Sequence, residues 1–194
     1  MEFIIPYQSQ RIEGAIAFFA SKHKEKTRKN LSQTALYKYL AFFDFKSLED
    51  SGEPALGLTY IAMERGPVPK EIYIEKKYRQ SNYYQFMDTN TNSVEIIPTS
   101  AKTDYLDYFS KFDEKLMTNL IEVFALSWIT ANVMSNASHD RKNGIKAWNK
   151  TWHKKPNTII NMAETFEDLE EKYINQTASM AEEHFYISQK LNGN

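Results

Sequence analysis

Hydrophobic residues recur at helical spacing in the first quarter of the chain. The first pattern consists of Ile12, Ala15, Ile16 and Phe19. The second consists of Leu36, Tyr39, Leu40 and Phe43. Because side chains three and four positions apart share one face of a helix, each pattern predicts an amphipathic helix. We expect Ser9 and Ser32 to cap these helices, since serine is favoured at the N-cap, the residue just before the first helical turn.

A glycine and two prolines then interrupt the chain. The segment from Leu58 to Met63 predicts a short helix, which ends where Gly66-Pro67-Val68-Pro69 begins. Glycine adopts backbone angles closed to other residues, and each proline fixes its own φ, so this run predicts a rigid turn. Proline is tolerated in a first helical turn, and we expect a further helix to start near Pro67 to Pro69 and run towards Lys77.

Only one region has a clear β pattern. Tyr83 to Met87 and Val94 to Ile97 flank an Asn- and Thr-rich loop, which predicts a hairpin over about residues 83–97. Pro98 is expected to end it.

The rest of the chain is again helical in pattern. One predicted helix begins near Asp113, and a shorter one covers Ile129 to Met134. A third includes Ile145 to Trp152 and stops before Pro156. The last helical pattern covers 166–191, with a polar interruption at 175–177. No repeat or flexible linker divides the sequence. The predicted fold class is therefore mainly α: a compact single helical domain over 1–194 with one small β-hairpin, and a C-terminal helical extension over about 160–191.

Composition supports a globular protein. Hydrophobic residues make up 42% of the 194 positions and aromatic residues 14%, enough for a packed core without disulfides or metal. Cysteine is absent, which excludes a thiol nucleophile, a disulfide and an iron–sulfur cluster. The N-terminus has no export signal and no later stretch is long and apolar enough to cross a bilayer. We expect a cytoplasmic protein without a membrane segment.

The charge is nearly balanced overall but unevenly placed. The formal net charge is -1, which does not favour nucleic-acid binding by the whole molecule. One basic run consists of Lys22, Lys24, Lys26, Arg28 and Lys29, and a second of Arg141, Lys142, Lys146, Lys150, Lys154 and Lys155. Each run is either a solvated face or a surface that docks a partner.

Catalytic motifs are not found. The four histidines belong to no zinc-protease helix, and the chain has neither a phosphate-binding glycine loop nor a nucleophile elbow. Grouped carboxylates such as Asp104 and Asp107 have no histidine companion and are typical of a surface. We therefore predict no enzyme activity, no metal and no cofactor. His139 follows Ser138, so it either supports a helix terminus or contacts a partner.

Several segments together resemble the Panacea domain, the SocA-like antitoxin family. They are Leu36 to Asp44, then Gly52 to Tyr60, then Gly66 to Pro69, and finally Ser138-His139 followed by Trp148. The resemblance covers roughly residues 8–155. Between His139 and Trp148 this chain departs from the family pattern, because its segment 141–146 is longer and more basic.

The resemblance implies a toxin–antitoxin system, including those of prophages and phage defence. It implies an antitoxin that neutralises a cognate protein toxin by direct contact, although some relatives act as adaptors that deliver a toxin to a protease. The predicted partner-binding residues are Tyr60, Met63, Arg65, Gly66, Pro67, Val68, Pro69, Tyr73, His139 and Trp148. Aromatic, Met and Arg side chains on a rigid turn suit a protein interface. The same aromatic side chains could equally face the core.

DNA binding is the alternative. Three helices followed by a hairpin is the outline of a winged-helix regulator, and a basic run lies near its start. Against this, the predicted hairpin over 83–97 carries no Lys or Arg to meet phosphates. The sequence leaves the oligomeric state open.

Overall fold

A computed structural model describes residues 3–100, 102–140, 143–166 and 179–191. The first half contains helix α1 (Gln8–Thr27), strand β1 (Leu31–Ser32), helix α2 (Gln33–Ser51), strands β2 (Tyr60–Met63) and β3 (Gly66–Pro69), helix α3 (Lys70–Tyr73), and strands β4 (Tyr84–Asp88) and β5 (Val94–Pro98). The second half contains a 3-10 turn (Asp104–Tyr108), helices α4 (Lys111–Phe124), α5 (Ala131–His139) and α6 (Lys146–Lys154), a second 3-10 turn (Met162–Thr165), and helix α7 (Met180–Leu191). The fold is mainly α with small antiparallel sheets, as predicted.

Helix α2 lies at the centre of the core. Most of its side chains are buried, because α1, α4, α5, α7 and β3 all pack around it. Phe19 of α1 stacks on Tyr39 at 4.7 Å between ring centroids, and Phe42 lies 5.0 Å from Phe124 of α4. Ser32 caps α2 as predicted, accepting a hydrogen bond from the backbone N–H of Ala35.

The other predicted cap is wrong. Helix α1 already includes Gln8, and its N-cap is Tyr7 in a left-handed conformation, so Ser9 lies inside the helix. Tyr7 supplies the carbonyl that accepts from the N–H of Arg11. The apolar positions predicted for α1 are buried as expected.

The hairpin predicted over 83–97 is confirmed as β4 and β5, although Pro98 is the last residue of β5. Strand β1 pairs with β5 to give a three-stranded sheet in the order β1-β5-β4.

The short helix predicted over Leu58 to Met63 is wrong, because Tyr60–Met63 forms strand β2, antiparallel to β3. Its burial alternates, with Tyr60 and Ala62 inside and Ile61 and Met63 half-buried, as in a strand with one face on the core. The next helix is also shorter than predicted, since α3 begins at Lys70 and ends at Tyr73.

The later helices agree with the apolar pattern apart from their ends. Helix α4 starts two residues before Asp113 because Ser110 and Asp113 form a reciprocal capping box. Helix α5 is shifted towards the C-terminus of its predicted span, and α6 stops before Pro156 as predicted. The predicted interruption at 175–177 lies outside the described residues. No helix in the described part of the chain is long and apolar enough to cross a membrane.

Candidate partner-binding site

The Gly-Pro-Val-Pro run forms the second arm of a hairpin. Strand β2 pairs with β3 so that Met63 faces Gly66, and Glu64 and Arg65 form the exposed tip between them. Gly66 has φ of 100°, whereas neither tip residue has a positive φ. The pairing register is continuous up to Met63 and Gly66, so a two-residue turn closes the hairpin, and only glycine adopts the positive φ at position 66 without strain. The predicted rigid turn is therefore the end of a β-hairpin.

The two prolines of β3 remove no hydrogen bond from the hairpin. They face Ala62 and Tyr60 of β2. The backbone groups of these two residues form hydrogen bonds on the other side of β2, with residues 157–160. At these positions the backbone N–H of β3 would point away from β2, and proline has none to offer. The outer edge of β3 is therefore closed to pairing with another strand.

Lys38 of α2 lies directly under the turn. Its side chain is 1% exposed, and its ammonium donates a hydrogen bond to the carbonyl of Pro67 at 3.4 Å. A Cβ at Gly66 would lie 2.6 Å from Lys38 Nζ and 2.6 Å from Ser138 Oγ. Backbone, lysine and serine therefore meet at one point, where a side chain at position 66 would fit only if one of them moved.

Burial controls the charge of Lys38. Desolvation lowers the pKa of Lys38 from its ordinary value to about 7. Among the described residues Lys38 forms no ion pair that would offset this loss of water. A substantial neutral fraction of the amine is therefore expected near neutral pH.

The Ser138-His139 pair and Trp148 hold the turn from the other side. Trp148 Nε1 donates to the carbonyl of Met63 at 3.1 Å, and the His139 ring stacks on Trp148 with centroids 4.0 Å apart. Ser138 Oγ donates to the carbonyl of Ser135 at 2.7 Å, which ties it into the end of α5. These contacts join α5 and α6 to the last residue of β2.

His139 is poorly placed to carry a charge. Burial lowers its pKa, and the nearby Lys38 charge lowers the pKa further, while a hydrogen bond to the backbone of Arg65 acts in the opposite direction. Its Nε2 is buried and has no hydrogen-bond partner among the described residues. A neutral imidazole stacked on indole fits this environment better than a cation.

Asp44 fixes the segment that leads into β2. Its buried carboxylate accepts hydrogen bonds from the backbone N–H groups of Leu56, Gly57 and Leu58 and from the Tyr60 hydroxyl. Burial raises the pKa of Asp44 to about 6, and these four donors limit the rise. At neutral pH the group is mainly ionised and anchors this segment to α2.

The structure divides the ten predicted partner-binding residues into two groups. Tyr60, Gly66, Pro67, Val68, Pro69 and Trp148 are buried and shape the hairpin from within. Arg65 and Tyr73 are exposed, and Met63 and His139 are half-buried. The tip brings Met63, Arg65 and His139 together. Tyr73 lies beyond the far end of β3, in edge-to-face contact with Tyr37.

Two central residues of this site, Lys38 and Asp44, were not identified from the sequence. Both are charged residues within the otherwise apolar run from Leu36 to Phe45. That is the signal that could have revealed them, because a charged residue on a helix buried on all sides needs a specific role. Arg141 and Lys142 of the second basic run lie outside the described residues.

A metal site is not present in the described part of the chain, where no group of three His, Asp or Glu side chains could hold an ion. The model of the family described as antitoxin SocA-like, Panacea domain, matches residues 36–176. This range begins with α2, later than the expected residue 8, and extends past residue 155. No curated protein and no solved structure matches the chain.

Proposed function

We propose that this chain, which belongs to the Panacea-domain family of SocA-like antitoxins, neutralises a cognate protein toxin by binding it directly in the cytoplasm. The observation that best supports this role is the exposed Glu64–Arg65 tip on a hairpin fixed by Lys38, Gly66 and Trp148. Arginine is among the residue types that most often dominate binding energy. A tip that is already rigid loses little conformational entropy when a partner binds.

Around the tip, Met63 and His139 provide half-buried apolar and aromatic surface next to the Arg65 charge. We propose these three residues as the centre of the toxin contact, with Trp148 as their support. The buried residues Tyr60, Gly66, Pro67, Val68 and Pro69 then act by holding the tip in place. Tyr73 is a separate exposed aromatic contact at the other end of β3.

The test uses the small protein encoded beside this chain as the toxin. Expressed alone it should arrest growth, and co-expression of this chain should restore growth. Arg65→Glu should leave the melting temperature unchanged and weaken binding by about 1 to 3 kcal/mol in calorimetry. Lys102→Glu, an equal charge change at another exposed position, is the matched control. If the wild-type chain gives no rescue although both proteins are made, the proposed function is wrong.

The adaptor role predicts a different stoichiometry. Neutralisation by occupancy requires about one antitoxin molecule for each toxin molecule. An adaptor is released after each delivery and can act again. Rescue at a small fraction of the toxin concentration, lost in a protease-deficient host, would therefore show that the chain delivers the toxin to a protease instead of inhibiting it directly.

The order of elements favours DNA binding as the second candidate. Strand β1 lies between α1 and α2 and joins the β4–β5 hairpin in the sheet β1-β5-β4, and this hairpin follows α3 in the chain as a wing would. Against this role, α3 has only four residues, and the loop between β4 and β5 is uncharged. Retention of the promoter DNA of its own operon at low but not at moderate salt would favour the second candidate.

A further inference from the structure

A groove runs along the outer face of β2, on the side opposite the core. It lies between α3, the end of α6 and residues 157–161, and encloses about 760 Å³. Its principal lining residues are Ile61, Ile159, Lys70, Lys154 and Lys155. None of the lining residues that the structure describes is aromatic. The groove is distinct from the Glu64–Arg65 tip.

The floor of the groove is a pair of isoleucines from neighbouring chain segments. Ile61 of β2 faces Ile159 in an antiparallel bridge. On either side of this pair, Ala62 donates to the carbonyl of Thr158 at 2.9 Å and Ile160 donates to that of Tyr60 at 2.8 Å. Side chains of such a non-hydrogen-bonded pair lie close together. Ile159 is nevertheless 61% exposed, so the pair is an apolar surface without a cover.

The rim of the groove is cationic. Lys154 and Lys155 are exposed and form no ion pair within the described residues. Lys70 forms one with Glu75, with 3.6 Å between Nζ and Oε1. Glu164, the one carboxylate among the described lining residues, accepts a hydrogen bond from the Thr151 hydroxyl at 3.4 Å. Because the whole chain has a net charge of -1, this local excess of lysine is a property of the groove. It complements a ligand that is acidic.

We propose that this groove binds an acidic segment of the cognate toxin, with an apolar side chain of that segment seated on the Ile61–Ile159 pair. The inference rests on the proposed antitoxin function and adds a second contact area to the tip. An apolar floor with charges only at the rim suits a peptide that alternates acidic and apolar residues. A single-stranded nucleic acid would instead require aromatic stacking surfaces, and a duplex a longer series of phosphate contacts.

The charge of the rim is tested with the Lys154→Glu/Lys155→Glu double variant. The control is Lys24→Glu/Lys26→Glu, which makes the same charge change at exposed positions in the last turn of α1. Binding of the purified toxin is measured by biolayer interferometry at two salt concentrations. We expect the groove variant to bind at least about tenfold more weakly at low salt and to lose most of the salt dependence. The control variant should stay within about twofold of wild type.

The apolar floor is tested with Ile159→Asn. Its control is Val123→Asn on α4, a similarly exposed aliphatic position at 56% exposure. We expect Ile159→Asn to weaken toxin binding about tenfold and Val123→Asn to leave it unchanged. Overlapping peptides that cover the toxin sequence are then tested separately, and an acidic peptide should bind wild type but neither groove variant.

The possible results separate the inference from the proposed function. If wild type binds the toxin and both groove variants bind it equally well, the groove inference is wrong and the antitoxin role stands. If wild type neither binds the toxin nor rescues growth, both are wrong. If the groove variants keep full toxin affinity but lose retention of a labelled DNA duplex, the groove serves nucleic acid and the inference is overturned.

Discussion

Two charged residues of α2 are buried, and their surroundings differ sharply. Asp44 receives four hydrogen-bond donors from the segment that enters β2, whereas Lys38 reaches one carbonyl at 3.4 Å beneath the β2–β3 turn. Both are almost inaccessible to water. Polar partners therefore compensate the burial of Asp44 well and that of Lys38 poorly.

The difference separates a structural element from the one that we propose as functional. The segment that enters β2 is fixed by a carboxylate whose hydrogen-bonding capacity is filled by four donors. Its geometry therefore needs no partner from outside the chain. The turn at Lys38 carries the exposed Glu64–Arg65 tip and is held by a group whose charge changes near neutral pH. A region that retains a poorly compensated charge beside its exposed surface is a better candidate for function than a fully satisfied one.

The largest expected effect is at Asp44. Asp44→Ala removes the acceptor for three backbone N–H groups and the Tyr60 hydroxyl, which then remain buried and unpaired. We expect a loss of about 3 to 5 kcal/mol in the free energy of unfolding, measured by urea denaturation. The control Asp88→Ala removes an exposed carboxylate that lies 3.4 Å from Arg79, and should change stability by less than about 1 kcal/mol. An equally small loss for Asp44→Ala would remove the contrast between the two regions.

At Gly66 the expected loss is smaller. Gly66→Ala places a Cβ at φ of 100° and 2.6 Å from both Lys38 Nζ and Ser138 Oγ. The ammonium end of the flexible Lys38 side chain can move away. Backbone strain therefore accounts for most of the expected loss in the free energy of unfolding, about 2 to 3 kcal/mol. Glu64→Ala, at the exposed tip, is the control and should be nearly neutral. A Gly66→Ala protein as stable as wild type would show that the turn tolerates a side chain.

The sequence predicted the helices better than it predicted this turn. The periodic apolar positions of α1, α2 and α4 are sufficient to place those helices. Six apolar or small residues from Leu58 to Met63 fit either a helix or a strand. Their strand conformation depends on the neighbouring β3, on Asp44, and on residues 157–160, the last about a hundred positions away. Local pattern contains no information about such distant partners.

For the site, the limit is different in kind. His139 and Trp148 were expected as partner-binding residues only through the family resemblance, and nothing in their spacing predicts that they lie beside Met63. Lys38 was missed because a lysine in a helix is ordinarily a solvated residue. Its burial is evident only once β3 is seen to cover that face of α2.

Lys38→Met tests how poorly the charge is compensated. A pKa lowered to about 7, against about 10.4 in the unfolded chain, means that the folded state binds fewer protons between these values. The stability of wild type should therefore rise with pH from about 7 to 10. Methionine has a similar length and no charge, so we expect Lys38→Met to be more stable than wild type by about 1 to 3 kcal/mol at pH 6, with the advantage shrinking towards pH 9.

The measurement is denaturant unfolding of wild type and variant at each pH. Taking the difference between the two proteins cancels the titration of the other groups. The exposed Lys26→Met is the control and should follow wild type at every pH. Parallel pH profiles for wild type and Lys38→Met would mean that Lys38 keeps an ordinary pKa, and the contrast with Asp44 would then be one of hydrogen bonding alone.

The smallest expected effect concerns His139, whose pKa responds to the nearby charge of Lys38. The pKa of His139 is lowered first by burial and then by the Lys38 charge. Because the Lys38 charge lowers the pKa of His139, removal of that charge should raise the pKa of His139. Imidazole NMR signals followed against pH in wild type and Lys38→Met give this comparison directly. His23, whose pKa is lowered by burial alone, is an internal control that should not move. An unchanged His139 would show that the Lys38 charge does not reach the stacked ring, and that burial alone keeps the imidazole neutral beside the tip.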